Sequence, residues 1–453
     1  MIKILMIWFI LFVQSFGQFE ILSDYIGYGI KNNLTLKQKQ FSLDQSLADL
    51  KEAKGMFFPS IGINSRYTRA GGGRVIDIPI GDLVNPINQG LNSLIQNAPY
   101  PTNIQNEQTK FLRPKEHDTK ISLVQPIIQP SLFYNYSIKS NLVEIRFTEK
   151  NIYIRNLIAD IQSAYYNYLK TKKIKTLFNN TILLVTENLR VTNSLYKNDK
   201  VTIDIVYRAK AELSEIEQKK LEAENDSEIA AAYFNFLLNK PLDSTIAIDS
   251  IQITNINVAS LEELEIIAIK QREELNQLNL ALETADDSKG LAKSNYYPGL
   301  ALAVDYGFQG DEYRFSKDDD YWMASVVFNW NIFNGLQDAA KSEKADIEIK
   351  NLQVRFNELK NMIRLQIKEA YKNFIVASKT IESTRERYDS YSKSFNIMKK
   401  KYKAGLASQL EYLDAQNKFI QAEIANILAE YNILESYANL EKVAALVDLQ
   451  KFN

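Results

Sequence analysis

Ala292-Lys293-Ser294-Asn295-Tyr296-Tyr297-Pro298 repeats Ala53-Lys54-Gly55-Met56-Phe57-Phe58-Pro59 at an offset of 239 positions. The same offset pairs Leu36 with Leu275, Leu43 with Leu282 and Tyr67 with Tyr306. Further along the offset is 206: Tyr196-Lys197 falls on Tyr402-Lys403, Thr202 on Ser408 and Ala209 on Ala415. Self-similarity of this kind marks two copies of one structural unit. The two offsets differ because the first copy carries an insertion. Residues 70–117 supply it, with Gly71, Gly72, Gly73, Pro79, Pro86, Pro99, Pro101 and Pro114. That composition predicts a long loop with little regular structure. Its counterpart, Gln309 to Asp320, is short and charged.

Outward from Pro298 the period is two. Leu300, Leu302, Val304, Tyr306 and Phe308 alternate with Ala301, Ala303, Asp305 and Gly307; Trp322, Ala324, Val326, Phe328 and Trp330 alternate with Met323, Ser325, Val327 and Asn329. One face is apolar and the other small or polar, the pattern of half-buried strands. Each run has about ten residues, the length of a tilted transmembrane strand. The first copy is less regular: Ile61, Ile63, Ser65 and Tyr67, then Ile121, Leu123 and Gln125. Phe57, Phe58, Tyr296, Tyr297, Trp322 and Trp330 sit near the ends of these runs, where a membrane-interface girdle places aromatics. An ordinary soluble hairpin with one buried face satisfies the same pattern.

Beyond each hairpin the period becomes helical. Leu352, Phe356, Leu359, Ile363, Ile367, Ala370, Phe374, Ala377, Ile381, Thr384, Tyr388, Tyr391, Phe395, Met398 and Tyr402 form one stripe in steps of three and four. No Pro or Gly lies between Gly335 and Gly405. Leu157, Ile161, Ala164, Tyr168, Phe178, Ile182, Val185, Leu189 and Tyr196 form the matching stripe of the first copy. A helix of about 65 residues would measure about 100 Å, beyond the needs of a globular domain. Gly405 in Ala404-Gly405-Leu406 is a helix stop, and Asn198-Asp199-Lys200 is its equivalent. Returning helices follow, the second marked by Leu406, Leu410, Leu413, Ile420, Ile424, Ile427, Tyr431, Leu434 and Ala438. Such stripes read as seams that hold helices to helices.

The 453-residue chain carries 54 Lys+Arg against 55 Asp+Glu, a balance that argues against nucleic acid as a partner. It has no cysteine, which removes disulfides and thiol nucleophiles. Its one histidine, His117, lies among Pro, Asn and Gln and reads as a plain loop residue. No catalytic constellation, cofactor motif or metal set stands out, so no enzyme is expected. Lys3, the apolar run Ile4 to Val13, and small Ser15 and Gly17 before Gln18 read as a secretory signal. Residues 1–17 are then the signal peptide. Residues 18–245 are the first repeat, with its hairpin at 59–128, and 246–453 the second, with its hairpin at 298–331.

Strands in lipid cannot leave an edge, because each unpaired backbone group costs several kcal/mol. Four strands per chain are too few to close a barrel, for which about eight is the usual minimum. Membrane strands would therefore have to be pooled between copies of the chain.

At this point the sequence resembles the TolC family of outer-membrane efflux proteins over nearly all of its mature length. The resemblance rests on the tandem repeat, the aromatic-Pro entry to each hairpin, and Asn331-Ile332-Phe333-Asn334-Gly335 leaving the last strand. Its most specific string is Tyr402-Lys403-Ala404-Gly405-Leu406-Ala407-Ser408-Gln409-Leu410-Glu411-Tyr412-Leu413-Asp414-Ala415-Gln416. It implies a mainly α fold with membrane β: a homotrimer with a 12-stranded β-barrel in the outer membrane, continued by a 12-helix α-barrel in the periplasm. It implies passive export, with a periplasmic adaptor and an inner-membrane pump as partners and outer-membrane lipid around the barrel. Tyr402, Glu411 and Asp414 match the family's gate positions, with Asp204 one residue from the acidic position of the first copy. Ala407 stands where the family often has a basic residue. The turns Asn198-Asp199-Lys200 and Ala404-Gly405-Leu406 match adaptor-docking tips. Read from the residues alone, the carboxylates are equally an ordinary solvated helix face and the turns are helix caps. A periplasmic coiled-coil scaffold or adaptor without a pore is the alternative class; it accounts for the helices but not for the membrane-length hairpins.

Overall fold

The computed structural model describes residues 20–95, 99–248 and 256–452. The secretory-signal reading of residues 1–17 lies outside the described residues, as does part of the stretch joining the two copies. The first copy runs α1 (Glu20–Asn32), α2 (Leu34–Gly55), β1 (Ser60–Arg69), β2 (Val75–Ile78), α3 (Ile80–Leu94), β3 (Glu107–Lys110), β4 (Lys115–Ile128), α4 (Pro130–Lys197) and α5 (Ile203–Leu237). The second runs α6 (Leu261–Gln271), α7 (Glu273–Ser294), β5 (Gly299–Gly310), β6 (Asp320–Asn329), α8 (Gln337–Lys403) and α9 (Gln409–Val443). It repeats the order of the first without β2, α3 and β3. The chain divides into two compact units.

The helical unit comprises Met1–Ala48, Ser140–Ala285 and Ile347–Asn453. Its core is built by the stripes. Every residue of the Leu352 to Tyr402 series is buried or half-buried, and Ile363 and Ile367 are wholly enclosed. Thr384, the polar member, is buried because its hydroxyl donates to the carbonyls of Thr380 (2.9 Å) and Ile381 (3.1 Å) within its own helix. The first-copy stripe buries Leu157, Ile161, Ala164, Phe178 and Val185, but leaves Tyr196 exposed. Leu406 and Leu410, read above as the start of the α9 seam, are exposed; burial along α9 begins at Tyr412 for the large apolar residues. Arg155, almost fully buried, forks onto Glu273 through two bonds of 2.9 and 2.6 Å and also donates to the Val447 carbonyl.

The second unit comprises Asp49–Lys139 and Asp286–Asp346. Its sheet has the order β1-β4-β5-β6, antiparallel throughout, so β1 and β6 each have one free edge among the described strands. Register sorts the side chains into rows. Ile63, Ile121, Tyr306 and Trp322 form one row across all four strands, and Ile61, Leu123, Val304 and Ala324 form the row two residues on. The opposite face carries the rows Asn64, Lys120, Gly307, Tyr321 and Gly62, Ser122, Asp305, Met323. Through the middle of the sheet one face is thus apolar and the other mainly polar, while Ser65, Thr119 and Asp320 join the first face toward one end and Val124, Ala301 and Val327 the second toward the other.

Two sequence expectations fail here. Residues 70–117 are not a loop with little regular structure. β2 and β3 pair as an antiparallel ribbon, and α3 stands between them. Gly and Pro punctuate the segment but do not dissolve it, because asparagine side chains replace the missing backbone partners (below). Nor is His117 a loop residue. It sits in β4 opposite Tyr67 and Gly310 and is fully buried. The 310–319 turn closes over it: Tyr313 stacks on the imidazole at 4.3 Å, and Nε2 lies 2.7 Å from the Glu312 carbonyl oxygen. Ring stacking and the Nε2 contact offset part of the cost of burying this polar ring, whose Nδ1 is buried without a hydrogen-bond partner among the described residues.

Candidate functional site

In the helical unit the turns of the two copies have the same backbone. α4 ends with Asp199 at φ 53° and α8 with Gly405 at φ 73°. At each, the next residue's N–H reaches back to close the last turn: Lys200 to Leu195 O (2.9 Å) and Leu406 to Lys401 O (2.8 Å). This is the Schellman stop, which needs a left-handed residue. It recurs where α5 and α9 end, at Asn239 (φ 55°) and Ala445 (φ 56°), again 206 positions apart.

After the turns the copies differ. Ser408 opens α9 with a capping box: its hydroxyl accepts from the Glu411 N–H (3.3 Å), while the Glu411 carboxylate accepts from the Ser408 N–H and hydroxyl, both at 2.8 Å. These bonds, helped by Lys401, hold the Glu411 carboxyl below its usual range. At the start of α5, Thr202 caps no backbone N–H; its hydroxyl instead bonds the Asp204 carboxylate. Asp204 also lies 3.9 Å from Arg208, and Asp414 pairs with Lys418 at 2.8 Å.

The sequence-derived gate residues therefore separate. Glu411, Asp414 and Asp204 are exposed, each engaged by a neighbour on its own helix. Tyr402 is buried in a seam with Phe395, Tyr412 and Ala415, stacked on Tyr412 at 4.8 Å, its hydroxyl 3.5 Å from that of Thr192 on α4. Contacts that join the copies at this end escaped the sequence reading. Gln409 donates to the Ile205 carbonyl (3.3 Å), and Gln416, fully buried, to Glu212 (3.1 Å). Burial and the nearby Glu215 raise the Glu212 carboxyl above its usual range. The signal was present: Gln409 and Gln416 stand seven residues apart, one heptad, on the face that carries Tyr412. Around the turns, Leu406 and Leu410 are 78% and 68% exposed, and Ile203 and Tyr207 are also uncovered.

In the second unit the polar sheet face is knitted by its own side chains. Lys120 and Asp305 pair at 2.6 Å, Tyr321 donates to Asp118 (2.8 Å), and Asn64 to Ser122 (3.3 Å). Trp322 on the apolar face is exposed, as are Phe58, Tyr296, Tyr297 and Trp330 just beyond the strand ends, while Phe57 packs edge-on against Phe133 at 5.2 Å. The Trp330 indole N–H donates to the Tyr296 carbonyl (3.1 Å), tying the strand exit to the strand entry. Among the described residues no helix is long and apolar enough to cross a membrane, and no group of His, Asp and Glu is placed to hold a metal.

Comparison with known proteins bears out the resemblance. Residues 267–445 match the family described as Outer membrane efflux protein. The probable efflux pump outer membrane protein TtgC and the antibiotic efflux pump outer membrane protein ArpC, both of Pseudomonas putida, are 21% identical over 304 residues, 63% of this chain. Those matches span 60% of the relatives' own length. Among solved structures, the Campylobacter jejuni CmeC outer membrane channel superposes with a TM-score of 0.78 at 16% identity, covering 95% of this chain and 88% of that one. The outer membrane protein VceC of Vibrio cholerae gives 0.75 at 13% identity, covering 93% and 95%. The fold is that of these channels.

Proposed function

We propose that this chain, a relative of the outer membrane efflux proteins, is the exit duct of a tripartite efflux or type I secretion system. Copies join edge to edge in the outer membrane, and the helical unit serves as a periplasmic tunnel. Transport through it is passive; an inner-membrane pump does the work and a periplasmic adaptor links the two. No catalytic role is proposed.

The observation that carries the reading is the sheet. It has one apolar face, one polar face and two free edges. In water the apolar face would be a large exposed patch, and in lipid the edges would be unpaired. Both problems end when copies close a cylinder with the apolar face outward. A homotrimer pooling four strands each would reach about twelve, above the minimum for closure. The polar face then lines the lumen, and the exposed aromatics stand at the interface girdles.

Tyr402, Glu411, Asp414 and Asp204 are proposed to narrow the periplasmic entrance. Their single-chain geometry supports a carboxylate rim at Glu411 and Asp414, with Tyr402 as packing behind it. The turns Asn198-Asp199-Lys200 and Ala404-Gly405-Leu406, with exposed Leu406 and Leu410, are proposed as adaptor contacts. Electron microscopy of the detergent-purified particle tests the duct: a hollow oligomer is expected, and a monomer that stays dissolved without detergent refutes it. Conductance in planar bilayers tests the rim: Glu411→Gln and Asp414→Asn are expected to weaken cation preference, and unchanged preference rejects the assignment.

A further inference from the structure

The insertion of the first copy is built inside out. Along α3, Asn85, Asn88 and Asn92 share one face, and each side chain donates to the backbone of the extended segment that returns beside it: Ile104 O (2.8 Å), Pro101 O (2.7 Å) and Tyr100 O (2.8 Å). Asn85 also accepts from the Ile104 N–H (2.9 Å), and Asp82 is tied to Asn106 in both directions, by backbone (3.1 Å) and side chain (2.9 Å). The polar face is thus consumed within the insertion. The opposite face, Leu83, Ile87, Leu91 and Leu94, is exposed at 65%, 61%, 37% and 83%. A helix of a soluble domain does the reverse. This apolar stripe needs a cover that the described residues do not supply.

We propose that the cover is the same stripe on neighbouring copies of this chain, so that the α3 helices of the assembled protein meet one another. Two observations select this occupant, and the inference rests on the oligomeric barrel proposed above. First, the stripe is self-compatible. Asp82 is the only ionisable acid or base between Ile80 and Asn106 apart from Tyr100, so identical faces meet without charge repulsion. Second, the insertion springs from Arg69, the end of an edge strand whose free side must pair with a neighbouring chain. Completing that edge brings each copy's insertion beside the next. Lipid fits less well. The interfacial helices that lie on membranes carry Lys and Arg on their polar face, whereas α3 carries neither. The basic residues gather instead at the base of the insertion, at Arg69, Arg74, Lys110, Arg113 and Lys115, where the ribbon leaves the sheet.

The chain lacks cysteine, so single replacements report single positions. Ile87→Cys and Leu83→Cys sample the stripe; Gln89→Cys samples another exposed side of the same helix. These side chains are exposed within the chain, so its own packing is unaffected. In the full-length protein purified in detergent, a water-soluble maleimide is expected to label the stripe cysteines about tenfold more slowly than Gln89→Cys, because access limits the thiol. A short bis-maleimide is expected to join copy to copy at Ile87→Cys and Leu83→Cys but not at Gln89→Cys. Equal labelling and no joined product, in a particle still oligomeric by mass, overturns this inference alone. Protection that appears only in lipid nanodiscs, without joined product, assigns the stripe to the membrane and overturns it too. A monomeric particle overturns the barrel reading beneath it.

Discussion

Asp199 and Gly405, 206 positions apart, hold the same left-handed backbone at the ends of α4 and α8, at φ 53° and 73°. A side chain there is strained by about 1 kcal/mol, less for Asp than for most. Asp199→Gly is therefore expected to stabilise the protein by up to about 1 kcal/mol, and Gly405→Ala to destabilise it by about 1 kcal/mol. Thermal unfolding of the two variants under one condition checks the opposite signs.

The Arg155–Glu273 fork is a buried ion pair with side chains 7% and 14% exposed. Removing one partner strands a charge, so Arg155→Met is expected to cost about 3 kcal/mol. The double replacement Arg155→Met/Glu273→Leu should recover most of that loss. Denaturant unfolding of the four-member cycle measures the coupling, and additive losses would remove the pair from the account.

Glu441 of α9 is packed away from water, which pushes its carboxyl up to about 7 despite hydrogen bonds with Tyr437 and Gln162. The folded state thus holds its proton more tightly than the unfolded chain. Stability from this group is greatest below the ordinary value of 4.5, declines as pH rises, and reaches its floor above about 7. Glu441→Gln keeps the shape and removes the titration. It is expected to match the parent near the acid end and to exceed it by about 3 kcal/mol at pH 8. Melting curves across that range read the difference.

Glu411 has the opposite sign. Its carboxyl lies below the ordinary 4.5 because Ser408 donates to the charged form. Its contribution is complete above 4.5 and is lost as pH falls through the depressed folded value. Ser408→Ala is expected to flatten this acid limb, read by the shift of the Glu411 carboxyl resonance with pH.

The architecture was written in periodicity. The Leu352 to Tyr402 stripe became the α8 seam, and the alternation around Val304 and Val326 became a two-faced sheet, because burial on one side leaves a period that survives without knowledge of neighbours. Ser408-Gln409-Leu410-Glu411 also carries the capping signature, a role beside the gate position and the solvated helix face that the sequence reading gives Glu411. What stayed hidden depended on non-periodic contacts. His117 is buried by a turn nearly two hundred residues away in sequence. The α3 stripe from Ile80 to Leu94 has helical spacing, but Gly81, Pro86 and Gly90 masked it, and the asparagines that support it bond to backbone, which no residue pattern reveals. The heptad spacing of Gln409 and Gln416 marks a seam position, but that Gln416 bonds Glu212 across the two copies follows only from how their helices pack.

The unequal caps after the two turns set an order of fraying. α9 begins under a double latch from Ser408 and Glu411, whereas α5 begins at Thr202 with its hydroxyl turned to Asp204 and no side chain on the first free amides. Hydrogen–deuterium exchange at Ile203 to Val206 should outpace that at Gln409 to Tyr412. Thermal breathing at this end of the helical unit therefore starts in the first copy, where the returning helix opens without a side-chain latch.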